Sequence, residues 1–348
     1  MTLTTSTELA RPQPAARHVN YFEVIARSHH ELGEQLGLLF APRTRECLAE
    51  ARRQRSWKRK LADARPLLDA TQARFPFLVD ELRAYARVAD IGFHELWTLS
   101  IEADLDQTPG EHCTTMVTNE GTLISHNEDF DADATDYICI VRKTLPDISI
   151  LELFYFDSPL GGNAVSVNSN GFVQCINSLS HGDGGCGVPR NVIARWLSQT
   201  RNAYSDFMAM SDIPRAGGYN HVLVDRRGVV YNIECSGRKQ VFSMPRGAFA
   251  HTNHYTAHDL LAFEEAEARD STFARYARAR KLLRSRMATE EFLAVGADTR
   301  GGPRKAIFNR DTVARALIDL EEKKASFWLR REPEAGWIDY PLGRTAAA

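Results

Sequence analysis

Apolar residues recur every three to four positions through the first third of the chain. Leu32, Leu36, Leu39, Phe40 and Cys47, with charge between them, predict an amphipathic helix over 28–54, broken at Pro42. Leu68, Phe75, Phe77, Leu78, Leu82 and Tyr85 predict another over 67–88, with Pro76 as a break or a helix start. A third, short helix is expected over 93–105. The region reads as a helical layer that packs on something else.

At Cys113 the period changes. Runs of β type occupy 122–125, 137–142, 148–156, 164–167, 171–179, 221–225, 228–235, 240–243 and 248–252. Hairpin-type turns sit at 119–121, 169–171 and 226–228. Helical patterns interrupt at 190–199 and 266–286, and 316–329 predicts one more strand pair around 321–324. Hairpins in place of βαβ crossovers argue for α+β, with antiparallel sheets covered by helices, and against a doubly wound parallel sheet. No linker rich in Pro, Gly or Ser divides the chain. We read residues 18–348 as a single domain behind a Thr/Pro/Ala-rich, disordered arm over 1–17.

Composition narrows the function classes. The 348 residues carry 43 Lys+Arg against 45 Asp+Glu, a net charge of −2. That balance is a poor footprint for nucleic acid or an anionic membrane, and neither is expected as a partner. No apolar run approaches the ~20 residues of a membrane helix. The six cysteines are scattered with no C-x-x-C pair, so neither a zinc site nor a disulfide scaffold is expected. A reduced, cytoplasmic protein is the better reading. The loops at 161–163 and 182–187 are glycine-rich but lack the Lys-Ser/Thr of a nucleotide cradle. The basic run 52–60 reads most simply as a solvated helix surface.

A free cysteine is most often a small buried hydrophobe. Cys113 differs because polar residues flank it in Gly110-Glu-His-Cys-Thr-Thr115, where helical texture ends and strands begin. The strand–turn–strand that follows returns His126-Asn-Glu-Asp129 toward it. A Cys/His thiol dyad is open to either His126 or His254. Asp129, Asp131 and Asp133 open like a calcium loop, but Ala134 and Ile140 stand where Gly and Glu are needed, so calcium is rejected. His251 and His254 find no third metal ligand. Asn253 between them offers an amide N–H of the kind that forms half of an oxyanion hole.

Together these segments resemble the isopenicillin N acyltransferase (acyl-CoA:6-aminopenicillanic acid acyltransferase) family, a branch of the N-terminal-nucleophile (Ntn) hydrolases. Cys113-Thr114-Thr115 resembles its nucleophile start, and His126-Asn127-Glu128-Asp129-Phe130 its Asn-x-Asp-aromatic motif. Residues 167–171 with Asn177 are similar to its N-x-x-G … N hairpin. Gly187-Val-Pro-Arg190 resembles a helix start, His251-Thr-Asn-His-Tyr255 a further segment, and 271–280 a Ser/Arg-rich helix. The matches run in family order over about 113–310.

The resemblance implies a four-layer αββα sandwich made as a precursor. Self-cleavage between His112 and Cys113 would leave a helical α part (18–112 of the domain) and a β part (113–348) that stay associated. Cys113 would be nucleophile, with its own α-amine as base. Asp129 would hold that amine, Asn253 stabilise the oxyanion, and Arg310 lie near the nucleophile. Thr114, Thr115, Asn127, Asn177 and His254 would support the site. No cofactor or metal is implied; acyl-CoA is possible as a substrate. The expected activity is hydrolysis or transfer of the acyl group of a small N-acyl amide or thioester, with water or an amine as acceptor. The family commonly has Gly before the nucleophile, where this chain has His112; Gly accepts strained backbone more cheaply. A hydrolase without self-cleavage and a catalytically silent ligand-binding relative remain the alternatives.

Overall fold

The computed structural model describes residues 16–106, 113–130, 132–264 and 269–343. His112, expected to precede a cleaved bond, and nearly all of the expected N-terminal arm lie outside them. The chain begins with β1 (Tyr21–Ile25), then α1 (His29–Ala51), α2 (Trp57–Arg74), α3 (Pro76–Val88), α4 (Phe93–Ser100) and α5 (Glu102–Asp106). A run of strands follows: β2 (Thr114–Thr118), β3 (Leu123–Asp129), β4 (Ile138–Thr144), β5 (Ser149–Tyr155), β6 (Val165–Asn168) and β7 (Val173–Ser178). Next come α6 (Arg190–Leu197), α7 (Ala203–Met210), β8 (Tyr219–Val224), β9 (Val230–Cys235), β10 (Gln240–Ser243) and β11 (Phe249–His251). The chain closes with α8 (Arg269–Leu282), α9 (Thr289–Gly296), α10 (Gly302–Lys305), β12 (Thr312–Asp319), β13 (Lys324–Leu329) and β14 (Ile338–Pro341).

The strands form an eight-stranded sheet, β1-β4-β5-β6-β7-β8-β9-β10, and a six-stranded sheet, β11-β2-β3-β12-β13-β14. All neighbours are antiparallel except β1 and β4, which run parallel. Three apolar clusters set four layers. Leu32, Leu36, Phe40, Leu82 and Trp97 of the first helices pack on Val141, Ile150 and Phe154 of the larger sheet. Ile140, Leu153 and Val222 on its other face meet Val117, Ile124 and Phe327 of the smaller sheet. Met116, Leu123 and Leu317 then carry Ala279 of α8 and Phe292 and Val295 of α9. The order is helix, sheet, sheet, helix, an α+β sandwich as expected.

Local details depart from the sequence expectation. Pro42 does not break α1, which runs through it. Ser28 caps α1 by accepting from Glu31 N at 3.1 Å, while Pro76 starts α3. The 93–105 helix is two helices parted at Ile101. Of the basic run 52–60, Lys60 is not solvated. It is 1% exposed and donates to Gln54 Oε1, Glu102 Oε1 and Asp106 Oδ2 at 2.6, 2.5 and 2.6 Å. Three acceptors make its burial tolerable.

Helices α1 and α3 meet through glycine. A Cβ on Gly33 would fall 1.9 Å from Glu81 O, a backbone atom that cannot swing away. Gly33→Ala should therefore force α1 off α3 and destabilise the protein by about 1–3 kcal/mol. A shift of the urea midpoint, read by circular dichroism, measures it, and an unchanged midpoint refutes this packing.

Candidate active site

Strand alternation sorts the β2–β3 hairpin into two chemistries. Thr115 pairs with His126 and Thr114 with Asn127, which places Cys113 beside Glu128. Cys113, Thr115, His126 and Glu128 point between the sheets, whereas Thr114, Asn127 and Asp129 point outward to the α8–α10 side. On the inner face the Cys113 thiol donates to Glu128 Oε2 at 3.6 Å. That same oxygen lies 2.6 Å from His126 Nε2, and Thr115 Oγ1 lies 3.0 Å from His126 Nδ1. Tyr155 of β5 reaches across from the other sheet and donates to Glu128 Oε1 at 2.8 Å. Burial disfavours the His126 imidazolium, but its bonds to the neighbouring thiols and to Glu128 outweigh it and hold the pKa well above the usual value.

From the outer face Arg275 of α8 grips the nucleophile's backbone. Its Nη1 donates to Cys113 O and Thr114 Oγ1, and its Nη2 to Asn253 Oδ1, all at 2.8 Å. Asn253 Oδ1 also accepts from Cys113 N at 3.0 Å, and Asn253 Nδ2 donates to Ser178 O at 3.1 Å. Cys113 is thus held at both its amide ends. Asp129 accepts from Asn309 Nδ2 and Thr312 Oγ1 at 2.8 and 2.6 Å. Burial pushes it up to about 7, against the pull of Arg275, Thr312 and Asn309.

The segment carrying Asn253 is pinned from behind. His251 Nε2 lies 2.9 Å from Glu234 Oε1, whose carboxylate also accepts from Thr256 N and Ala257 N at 3.0 and 2.8 Å. Burial opposes ionisation of Glu234, yet these bonds draw its pKa down to about 2. His254 Nδ1 sits between the Thr252 and Thr272 hydroxyls at 3.2 and 2.9 Å, with its ring on Phe273. Burial pushes His254 down to about 4.

The family model for acyl-coenzyme A:6-aminopenicillanic acid acyl-transferase matches residues 116–333, well over half of the chain. The chain belongs to this family. Its members transfer or hydrolyse acyl groups, and the protein is an enzyme of that kind. No curated protein sequence matches it. Among solved structures it is similar to a mutant conjugated bile acid hydrolase from Clostridium perfringens: 13% identity, 67% of this chain and 92% of that one, TM-score 0.42. It is also similar to penicillin V acylase from Agrobacterium tumefaciens: 13% identity, 63% and 83% coverage, TM-score 0.39.

Of the residues singled out for an acyl-transferase site, Cys113, Thr114, Thr115 and Asn253 gather. Asp129 stands on the opposite face of its strand from the thiol. Asn127 ties the outer layer together, donating to Gly296 O and Ile307 O at 2.8 and 2.9 Å. Asn177 Oδ1 accepts from Asn220 Nδ2 at 3.3 Å, one residue before the Ser178 carbonyl that Asn253 uses. Arg310 is not brought near. It is exposed and pairs with Asp311 at 3.2 Å, and Arg275 occupies the place beside the nucleophile. Glu128, Tyr155 and Arg275 were not singled out. For Glu128 the signal was available, because His-x-Glu on a strand puts both side chains on one face.

Among the described residues one cluster, Cys113, His126 and Glu128, has donor atoms within 4.8 Å of one another, close enough to hold a metal. Its three groups are already joined by the hydrogen bonds given above. Also among the described residues, no helix is long and apolar enough to cross a membrane.

Glu234 has its folded pKa below its unfolded one. Its stabilising contribution is complete above pH 4.5, the ordinary carboxyl value here, and is lost as pH falls toward about 2. The contribution is on the order of 3 kcal/mol. Urea titrations between about pH 5 and 3 should show wild type losing stability more steeply than Glu234→Gln. Parallel losses refute the assignment.

Proposed function

We propose that the protein forms an acyl-enzyme on Cys113 and passes the acyl group of a small N-acyl compound to water or an amine. The observation that carries this is the double clamp on Cys113, with its N on Asn253 and its O on Arg275. A backbone held at both amide ends, at the head of a strand, supports attack by the Cys113 side chain.

The clamp supports a precursor that cleaves itself. The Cys113 thiol attacks the carbonyl carbon of residue 112, the peptide C–N bond breaks, and the acyl group moves from nitrogen to sulfur. Water then hydrolyses the thioester and leaves Cys113 with a free α-amine. That amine, with an ordinary pKa of about 7.7–8.0, takes the thiol proton in each later turnover. Asn253 Oδ1 holds the amine and its Nδ2 meets the oxyanion. Asp129, on the far side of the strand, acts through the Arg275 side of the clamp. The reaction needs no resident cofactor; acyl-coenzyme A enters only as a substrate. Six free thiols fit a reducing compartment, the cytoplasm.

A second reading is favoured by the Cys113–Glu128–His126 chain. There the carboxylate takes the thiol proton, His126 holds that carboxylate, and the chain stays whole.

N-terminal sequencing and intact mass separate the two. Self-cleavage gives a new start at Cys113 and pieces of 112 and 236 residues (348 − 112). A single 39.1 kDa species with full turnover overturns it. Cys113→Ala should stop cleavage and lower turnover of N-acyl amides by about 1,000-fold or more. His126→Ala should leave a cleaved enzyme active on the first reading, and kill an uncleaved one on the second.

A further inference from the structure

A cavity of about 340 Å³ lies beside the nucleophile's hydrogen-bond chain, between α4–α5 and the end of β5. That is the lower end of the ~300–1,000 Å³ range of small-molecule pockets. Phe130 and Tyr155, with ring centroids 5.7 Å apart, make its aromatic wall. The Tyr155 hydroxyl is two hydrogen bonds from the Cys113 sulfur, through Glu128.

The rest of the wall is acidic. Glu102, Asp106 and Asp157 line it, with Arg190 as the lining cation. Lys60 lies behind Glu102 and Asp106 and balances one of them. Arg190 is already engaged with Ala103 O at 3.2 Å, Ser178 Oγ at 3.4 Å and the face of Tyr219, and Asp104 accepts from its backbone N. Counting Asp104, four carboxylates stand against two cations. Burial raises Asp157 to about 6, and the Glu102 carboxylate adds to the rise.

A separate observation points to a ligand with donors. Asn163 and Ser158 line the cavity and are 3% and 6% exposed. Asn163 Oδ1 and Ser158 Oγ have no hydrogen-bond partner among the described residues. An amide oxygen can only accept, so this wall asks for an N–H or O–H from its occupant.

We infer that the cavity binds the ammonium end of an amine-bearing substrate. The cation lies among Asp157, Glu102 and Asn163, and the carbon skeleton rests on Phe130 and Tyr155. The inference deepens the acyl-transfer reading and rests on it only for the word substrate; the binding itself does not need the chemistry.

Three probes of one shape test it by calorimetry at neutral pH: 2-phenylethylammonium, 2-phenylethanol and 3-phenylpropanoate. The ammonium should bind about tenfold or more tightly than the alcohol, and the carboxylate least. Asp157→Asn should weaken ammonium binding about tenfold, and Asn163→Ala about threefold, with melting temperatures unchanged. Equal affinity for the three probes overturns the inference. So does a folded Asp157→Asn that binds the ammonium like wild type; if that variant fails to fold, the probe series and Asn163→Ala decide. Cys113→Ala should bind the ammonium normally. Lost cation selectivity with turnover intact sinks the cavity alone, whereas retained selectivity with a turnover indifferent to Cys113 sinks the acyl-enzyme alone.

Discussion

A guanidinium cannot shed its charge, and Arg275 is buried completely between the smaller sheet and α8. Everything near the nucleophile is arranged to make that burial tolerable. Cys113 O, Thr114 Oγ1 and Asn253 Oδ1 accept its protons, Ser271 Oγ stands one helical turn away at 3.3 Å, and Asp129 supplies a facing carboxyl. The need to satisfy one cation thus draws three distant segments together: the start of β2, the end of β3 and the stretch after β11. Desolvation penalises any arrangement that leaves a donor open, so the clamp is a device of position as much as of stability.

The hairpin that results has two faces with separate duties. Its outer face holds backbone and charge through Thr114, Asn127 and Asp129. Its inner face presents the thiol, a carboxylate and an imidazole to the buried space between the sheets. Adjacent residues share a strand yet work in different environments, because side chains alternate with a period of two.

In the sequence, β-type runs joined by hairpin turns match most strands, and the ordered motifs point to Cys113 and Asn253. Strand β1 escaped notice although Tyr21–Ile25 has strand-forming residues, because it is short, runs straight into a helix and pairs with a strand more than a hundred residues away. Arg275 was hidden for another reason. Arg269, Arg275, Arg278 and Arg280 share one helix, and no local feature tells which of them the tertiary fold will bury. Arg310 meets the same limit: a residue's distance from Cys113 is set by packing, and the fold leaves Arg310 exposed beside its chain neighbour Asp311. Lys60 shows the converse, a member of a basic run made internal by acceptors supplied from α5 and from Gln54.

The parallel pairing of β1 with β4 has a consequence for the integrity of the molecule. Residues 21–25 lie on one side of Cys113 in the chain, and residues 140–144 on the other, yet they share a ladder. Helices α1 to α4 likewise form the roof over a sheet built almost wholly from later residues. A chain severed ahead of Cys113 would therefore be a split protein, two fragments knitted by one sheet edge and one apolar roof. The later fragment keeps the clusters between the sheets and under α8 and α9, but the cluster on the outer face of its larger sheet is shared with the earlier fragment. Dissociation would strip the roof from the larger sheet and expose the apolar face on which α1 to α4 pack.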